Sequence, residues 1–142
     1  MKISIASDHG GFDLKNKIKQ YLTSQGHEVR DFGTFTTESC DYPDFARLAA
    51  QAVASGECER GIVVCTTGIG VSIVANKVNG VRCALCVNDD MATMTRRHNN
   101  ANVLALGQKY VDEQTAQKIV DAFINTPFDG GRHQRRVDKI EM

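Results

Sequence analysis

Neither sign of charge is in excess. Over 142 residues, 17 Lys and Arg balance 17 Asp and Glu, so the formal net charge is zero. A basic surplus is the usual footprint of a nucleic-acid or anionic-membrane binder, and its lack argues against both. No apolar run approaches the roughly 20 residues of a membrane span. There is no internal repeat, low-complexity tract or linker. The opening Met1-Lys2-Ile3-Ser4-Ile5-Ala6 enters a strand pattern rather than a signal-peptide pattern. Neither G-x-G-x-x-G nor G-x-x-x-x-G-K-[ST] occurs, so no dinucleotide or nucleoside triphosphate is indicated. The five cysteines are odd in number and scattered through apolar segments. That usage fits a reducing cytoplasm, not a disulfide framework.

What is present is an alternation of short apolar runs and helical patterns. Lys2–Ser7 reads as a buried strand. Leu14, Ile18, Tyr21 and Leu22 then share a helical face that Gly26 ends. His27–Gly33 is a weaker strand, 34–42 a loop, and Pro43 opens a helix with Phe45, Leu48, Ala49, Ala52 and Val53 as its apolar stripe. Gly61–Cys65 is the clearest strand and runs into a helix reaching about Val78. Val81–Val87 and Asn102–Leu106 read as strands, Asp89–Arg97 and Glu113–Asn125 as helices. The last sixteen residues, from Pro127, form a basic tail with a final helical turn or two. Five strands separated by helices imply right-handed crossovers and a parallel sheet covered on both faces. The expectation is one domain over 1–142, a three-layer α/β/α Rossmann-like sandwich with a five-stranded parallel sheet.

Ligands of such sheets gather outside the carboxyl ends of the strands. Two of those ends carry reactive residues, Ser7-Asp8-His9-Gly10-Gly11 and Cys65-Thr66-Thr67-Gly68-Ile69-Gly70, and they face one edge. Glycines at a strand-to-helix turn let a ligand approach the backbone, and the first helical amides favour an anion. A cysteine just before that turn is placed to have its thiol acidified. Proton transfer beside amides that hold an oxyanion suits enediolate chemistry; nucleophilic catalysis and phosphate binding remain open. Asp8-His9 reads either as an acid–base pair or as a helix start that Asp8 caps.

His98 ends a helix antiparallel to the strands, at the opposite edge of its own sheet. It is either a cation on a helix C-terminus or part of a neighbour's site. Arg132 and Arg136, spaced i and i+4, either grip a phosphate or form a solvated face. Cys83-Ala84-Leu85-Cys86 matches C-x-x-C, but within a strand residues three apart face opposite ways. The pair is therefore assigned to packing, and with no second pair no metal site is expected.

Taken together and in order, these segments resemble the type B ribose-5-phosphate isomerases and their relatives, the galactose-6-phosphate isomerase subunits and allose-6-phosphate isomerase. The resemblance spans essentially the whole chain. It rests on Ile5–Gly11, Asp41-Tyr42-Pro43-Asp44, Cys65–Gly70, His98–Gly107 and Gly131–Val137. It implies an aldose–ketose isomerase without metal or organic cofactor, a homodimer or dimer of dimers with sites shared between subunits, and a sugar phosphate as substrate. By the same resemblance Cys65 moves the proton between C1 and C2. The amides of Gly68, Ile69, Gly70, Val71 and Ser72 hold the enediolate. Asp8, Thr67 and His98 assist ring opening, and Asn99 orients hydroxyls. His9, Arg132 and Arg136 hold the phosphate, and the tail 127–142 closes the site. The chain departs from the pattern at Thr66, where the family has glycine, at Asn100, where aspartate is common, and at Lys109, where many members place a phosphate-binding arginine. A non-enzymatic phosphosugar-binding module is the reading from another class.

Overall fold

A computed structural model describes residues 1–142. The strands are β1 (Lys2–Ser7), β2 (Glu28–Asp31), β3 (Arg60–Cys65), β4 (Cys83–Leu85) and β5 (Val103–Gly107). The helices are α1 (Phe12–Ser24), α2 (Tyr42–Ala54), α3 (Ile69–Asn76), α4 (Asp89–Asn99), α5 (Glu113–Asn125) and α6 (Arg132–Ile140), with a 3-10 turn at His9–Gly11. The strands lie in one sheet, order β2-β1-β3-β5-β4, and every pairing is parallel. The architecture is the expected α/β, Rossmann-like sandwich.

Alternation along the central strands sends side chains to two different cores. Ile3, Ile5, Ile62, Val64, Leu104 and Leu106 face α1 and α5, meeting Leu14, Ile18, Ile119 and Phe123. Ala6, Val63, Cys65, Val103 and Ala105 face α2 and α3, meeting Ala46, Ala49, Ala50, Val53, Val71 and Ala75. The second face is made of small residues, so α2 lies close on the sheet; Ser4 Oγ donates to the Ala49 carbonyl at 2.8 Å. Cys65 therefore ends β3 on the side where α3 begins.

Several boundaries differ from the sequence reading. The Val81–Val87 strand shrinks to Cys83–Leu85, because Asn88 already caps α4 by accepting from the Met91 amide. Leu48, assigned to the α2 stripe, is exposed, and Ala46 and Ala50 take the inward positions. α3 stops at Asn76 rather than near Val78, α4 runs on to Asn99, and β2 covers only Glu28–Asp31. The tail forms the nine-residue helix α6, held by the buried Val137.

The buried polar group of greatest consequence is Lys15 on α1. Its ammonium is inaccessible and donates to both oxygens of Asp31 at 3.0 Å and to the Thr34 carbonyl at 2.5 Å. Gly33 donates its amide to the same carboxylate. The cluster ties the exit of β2 to α1 and fixes the start of the loop that returns to α2.

Candidate active site

Two strand ends bring one group of the candidate residues together. β1 and β3 are adjacent, and the Asp8 amide donates to the Val64 carbonyl. Asp8 Oδ1 accepts from the Gly11 amide at 3.1 Å, so this residue does cap the turn that follows. Gly11 is obligatory in that turn: a Cβ there would stand 2.6 Å from the Val64 carbonyl oxygen. His9 is exposed, and its Nδ1 accepts from the Cys40 amide at 3.2 Å.

After Cys65 the chain turns through Gly68, whose φ of +78° lies in the left-handed region, and where a Cβ would meet Leu85, Leu106 and Gly107 within 3 Å. The Gly68 amide donates to Cys65 Sγ at 3.2 Å, a contact suited to a thiolate. Thr67 Oγ1 accepts from the Ile69 amide, and the Ser72 amide returns to the Gly68 carbonyl. The amides of Gly70 and Val71 have no acceptor within the protein. Two orphan donors thus stand at the positive end of α3, a position that suits an anion.

Asp8, Tyr42, Cys65, Thr66, Thr67, Ile69, Gly70 and Ile73 enclose an open cleft of ≈ 430 Å³. Thr66 lines the cleft, and its Oγ1 lies over Gly10, 2.1 Å from where a Cβ would stand. Lys109 donates its amide to the Thr66 carbonyl, which places it at the same end of the sheet.

The second set of residues lies elsewhere. α4 ends at Asn99, and only three residues separate it from the start of β5. Cys65 pairs with Gly107, at the far end of that strand; five strand residues span about 17 Å. Arg82, just before β4, donates to the carbonyls of Asn99 and Asn100 and confirms the opposite edge. α6 packs here too: the His133 ring stacks on His98 with centroids 4.3 Å apart and planes 11° apart. Arg132 and Arg136 are exposed and have no carboxylate partner. A loss of hydration on docking lowers the His133 pKa, reinforced by His98, Arg132 and Arg136. The tail therefore does not close the cleft of its own chain.

Arg96 holds this second cluster in place. It is buried and donates to the carbonyls of Thr126 and Ala101 and to Asn100 Oδ1. With no carboxylate beside it, burial and then the nearby Arg60 and Arg82 bring its pKa down to about 10. Cys83 and Cys86 are both free thiols. Burial pushes Cys86 up to about 11 and raises Cys83 too, as expected of thiols used for packing.

Sequence reasoning did not assign roles to Cys40 against His9, Tyr42 in the cleft, or Asp129 and His133 beside His98. The partners are 31 to 35 positions apart in the chain, and no local pattern couples them. Tyr42 had a signal, its place in Asp41-Tyr42-Pro43-Asp44, but no chemistry to go with it.

A family model described as ribose/galactose isomerase matches residues 3–140. The chain is 46% identical over 139 residues to ribose-5-phosphate isomerase B of Escherichia coli (strain K12), covering 98% of this chain and 93% of that one. Among solved structures, ribose-5-phosphate isomerase B of Clostridium thermocellum superposes with a TM-score of 0.98 at 56% identity, covering 99% and 95% of the two chains. Ribose-5-phosphate isomerase B of Mycoplasma genitalium with bound ribulose 5-phosphate superposes with a TM-score of 0.95 at 46% identity, covering 99% and 93%.

Proposed function

This chain belongs to the ribose/galactose isomerase family, and we propose that it interconverts ribose 5-phosphate and ribulose 5-phosphate in sites completed between two copies of itself. The observation that carries the shared site is the separation of its parts. Cys65 and the free amides lie at one edge of the sheet, His98, Asn99, Arg132 and Arg136 at the other. Each half is flanked by apolar surface suited to a second copy: Tyr42, Ile69 and Ile73 around the cleft, Leu85, Met91 and Met94 beside His98. One domain, 1–142, then supplies both halves, and its tail 127–142 covers the partner's cleft.

In this reading His98 of one copy, with Asp8 and Thr67 of the other, opens the furanose by moving the anomeric hydroxyl proton and protonating the ring oxygen. Arg132 and Arg136 approach the phosphate from one side, His9 and Lys109 from the other, and Asn99 orients sugar hydroxyls. Two guanidiniums one helical turn apart suit a doubly charged phosphate. Cys65, as thiolate, removes the proton on C2. The C1 carbonyl oxygen takes up the charge and is held by the Gly70 and Val71 amides, with Gly68, Ile69 and Ser72 framing them. The thiol returns its proton to C1 while the hydroxyl proton passes from O2 to O1, leaving the ketose. Charge stabilisation comes from amides and cations, so no cofactor enters these steps.

Thr66 lines the cleft where the family has glycine, and in this reading its added side chain favours a five-carbon over a six-carbon sugar phosphate. The test is incubation with ribose 5-phosphate in D2O with chelator present, following ketose formation and deuterium at C1 of the ketose and C2 of the aldose. Ketose carrying exchanged deuterium is expected. Binding without turnover of ribose, allose or galactose phosphates would instead make the protein a phosphosugar-binding module.

A further inference from the structure

We propose that His98, Asp129 and His133 form a site for an imidazole-seeking divalent cation of the zinc type, and that its occupation withdraws His98 from the isomerase. The donor atoms of the three residues lie within 4.8 Å of one another. Two ligands on tetrahedral zinc stand about 3.3 Å apart, so the parallel imidazoles need only fan apart and close in slightly. The Asp129 amide holds the segment to α4 by donating to the Arg97 carbonyl at 3.1 Å, and within the segment the His133 amide donates to the Gly130 carbonyl at 3.0 Å. Two imidazoles and one carboxylate leave a fourth position for water.

The surrounding charge decides which metal fits. Arg97 is ion-paired to Asp129 at 3.2 Å, and Arg132 and Arg136 adjoin His133. These cations oppose any ion held mainly by charge, which excludes Mg2+ and Ca2+. Zn2+, Co2+, Ni2+ and Cu2+ bind imidazole through nitrogen donation and tolerate that field better. Binding at this cluster is independent of the catalytic reading; inhibition rests on it, because a metal on either ring nitrogen fixes the His98 imidazole and suppresses its use as a proton carrier.

The test uses full-length protein stripped with chelator and titrated with Co2+. Visible absorption should saturate at one equivalent per chain, be displaced by Zn2+ and be untouched by millimolar Mg2+ or Ca2+. His133→Ala should abolish it, and Asp129→Asn should weaken it at least about tenfold. Arg97→Ala, which frees Asp129 and removes a cation, should tighten binding about three- to tenfold. No Co2+ spectrum in the parent protein, or an unchanged one in His133→Ala, would overturn the site. In activity assays Zn2+ should inhibit the parent and spare His133→Ala, a difference that separates this site from zinc captured by Cys65. Zinc that binds at His133 without slowing ribose 5-phosphate turnover would overturn the inhibitory half and count against His98 in ring opening.

Discussion

Opposite placement of Cys65 and His98 makes a prediction that a single-chain site cannot imitate. Consider Cys65→Ala and His98→Ala, each expected to lower activity by about 10²- to 10⁴-fold as the loss of one acid–base group. In a twofold dimer built from one of each, one site takes Cys65 and His98 from the intact copies while the other lacks both. Random reassociation makes half the dimers mixed, so the mixture should recover about one quarter of wild-type activity. The sharper arm pairs wild-type protein with the double variant Cys65→Ala/His98→Ala. Every site in that hybrid lacks one group, so it should be nearly inactive although one of its chains is wholly wild type. The assay is ketose formation by hybrids carrying two affinity tags, purified on both and checked for composition by mass spectrometry. If the wild-type/double hybrid keeps half of wild-type activity and the single-variant hybrid gains none, each site is built within one chain and the reading of the sheet edges is refuted.

Three further outcomes are expected. Gly68→Ala combines a left-handed backbone with close contacts to Leu106 and Gly107 and should cost about 2–4 kcal/mol in urea unfolding; wild-type stability would remove the steric argument. Lys15→Met leaves Asp31 without its buried partner, though Lys19 remains at 3.3 Å, and should cost about 3 kcal/mol by the same measurement; a change within error would show that burial and pairing cancel. Thr66→Gly removes a side chain that lines the cleft and should raise relative turnover of allose 6-phosphate over ribose 5-phosphate about 10-fold, measured as a ratio of kcat/KM values; an unchanged ratio would mean that the pocket length is set elsewhere.

Much of the fold was legible because its signals are local. β1 and α5 fall within their sequence-expected limits, where a continuous apolar run and a strong 3.6-residue period leave little choice. The strand ends bearing Asp8 and Cys65 followed from parallel topology alone. Less legible were features decided by neighbours. Leu48 fits the helical period but faces outward, because α2 approaches the sheet through alanines. Lys15 would be placed on any solvent face by residue type, yet a carboxylate and a carbonyl distant in sequence make its burial tolerable. Cys40 against His9 and His133 on His98 are likewise products of tertiary folding.

The Lys15–Asp31 pair also bears on how β2 finds its place. This edge strand has four residues, Glu28-Val29-Arg30-Asp31, of which only Val29 packs on the core. Hydrophobic patterning normally specifies register, and here it offers one residue. A slip of one position would bring Arg30 or Phe32 to the buried ammonium and leave it without an anion. The penalty for misalignment is thus electrostatic. An ion pair whose net contribution to stability is modest can still exclude the wrong pairing of a short edge strand, and with it any displacement of the loop that brings Cys40 to His9.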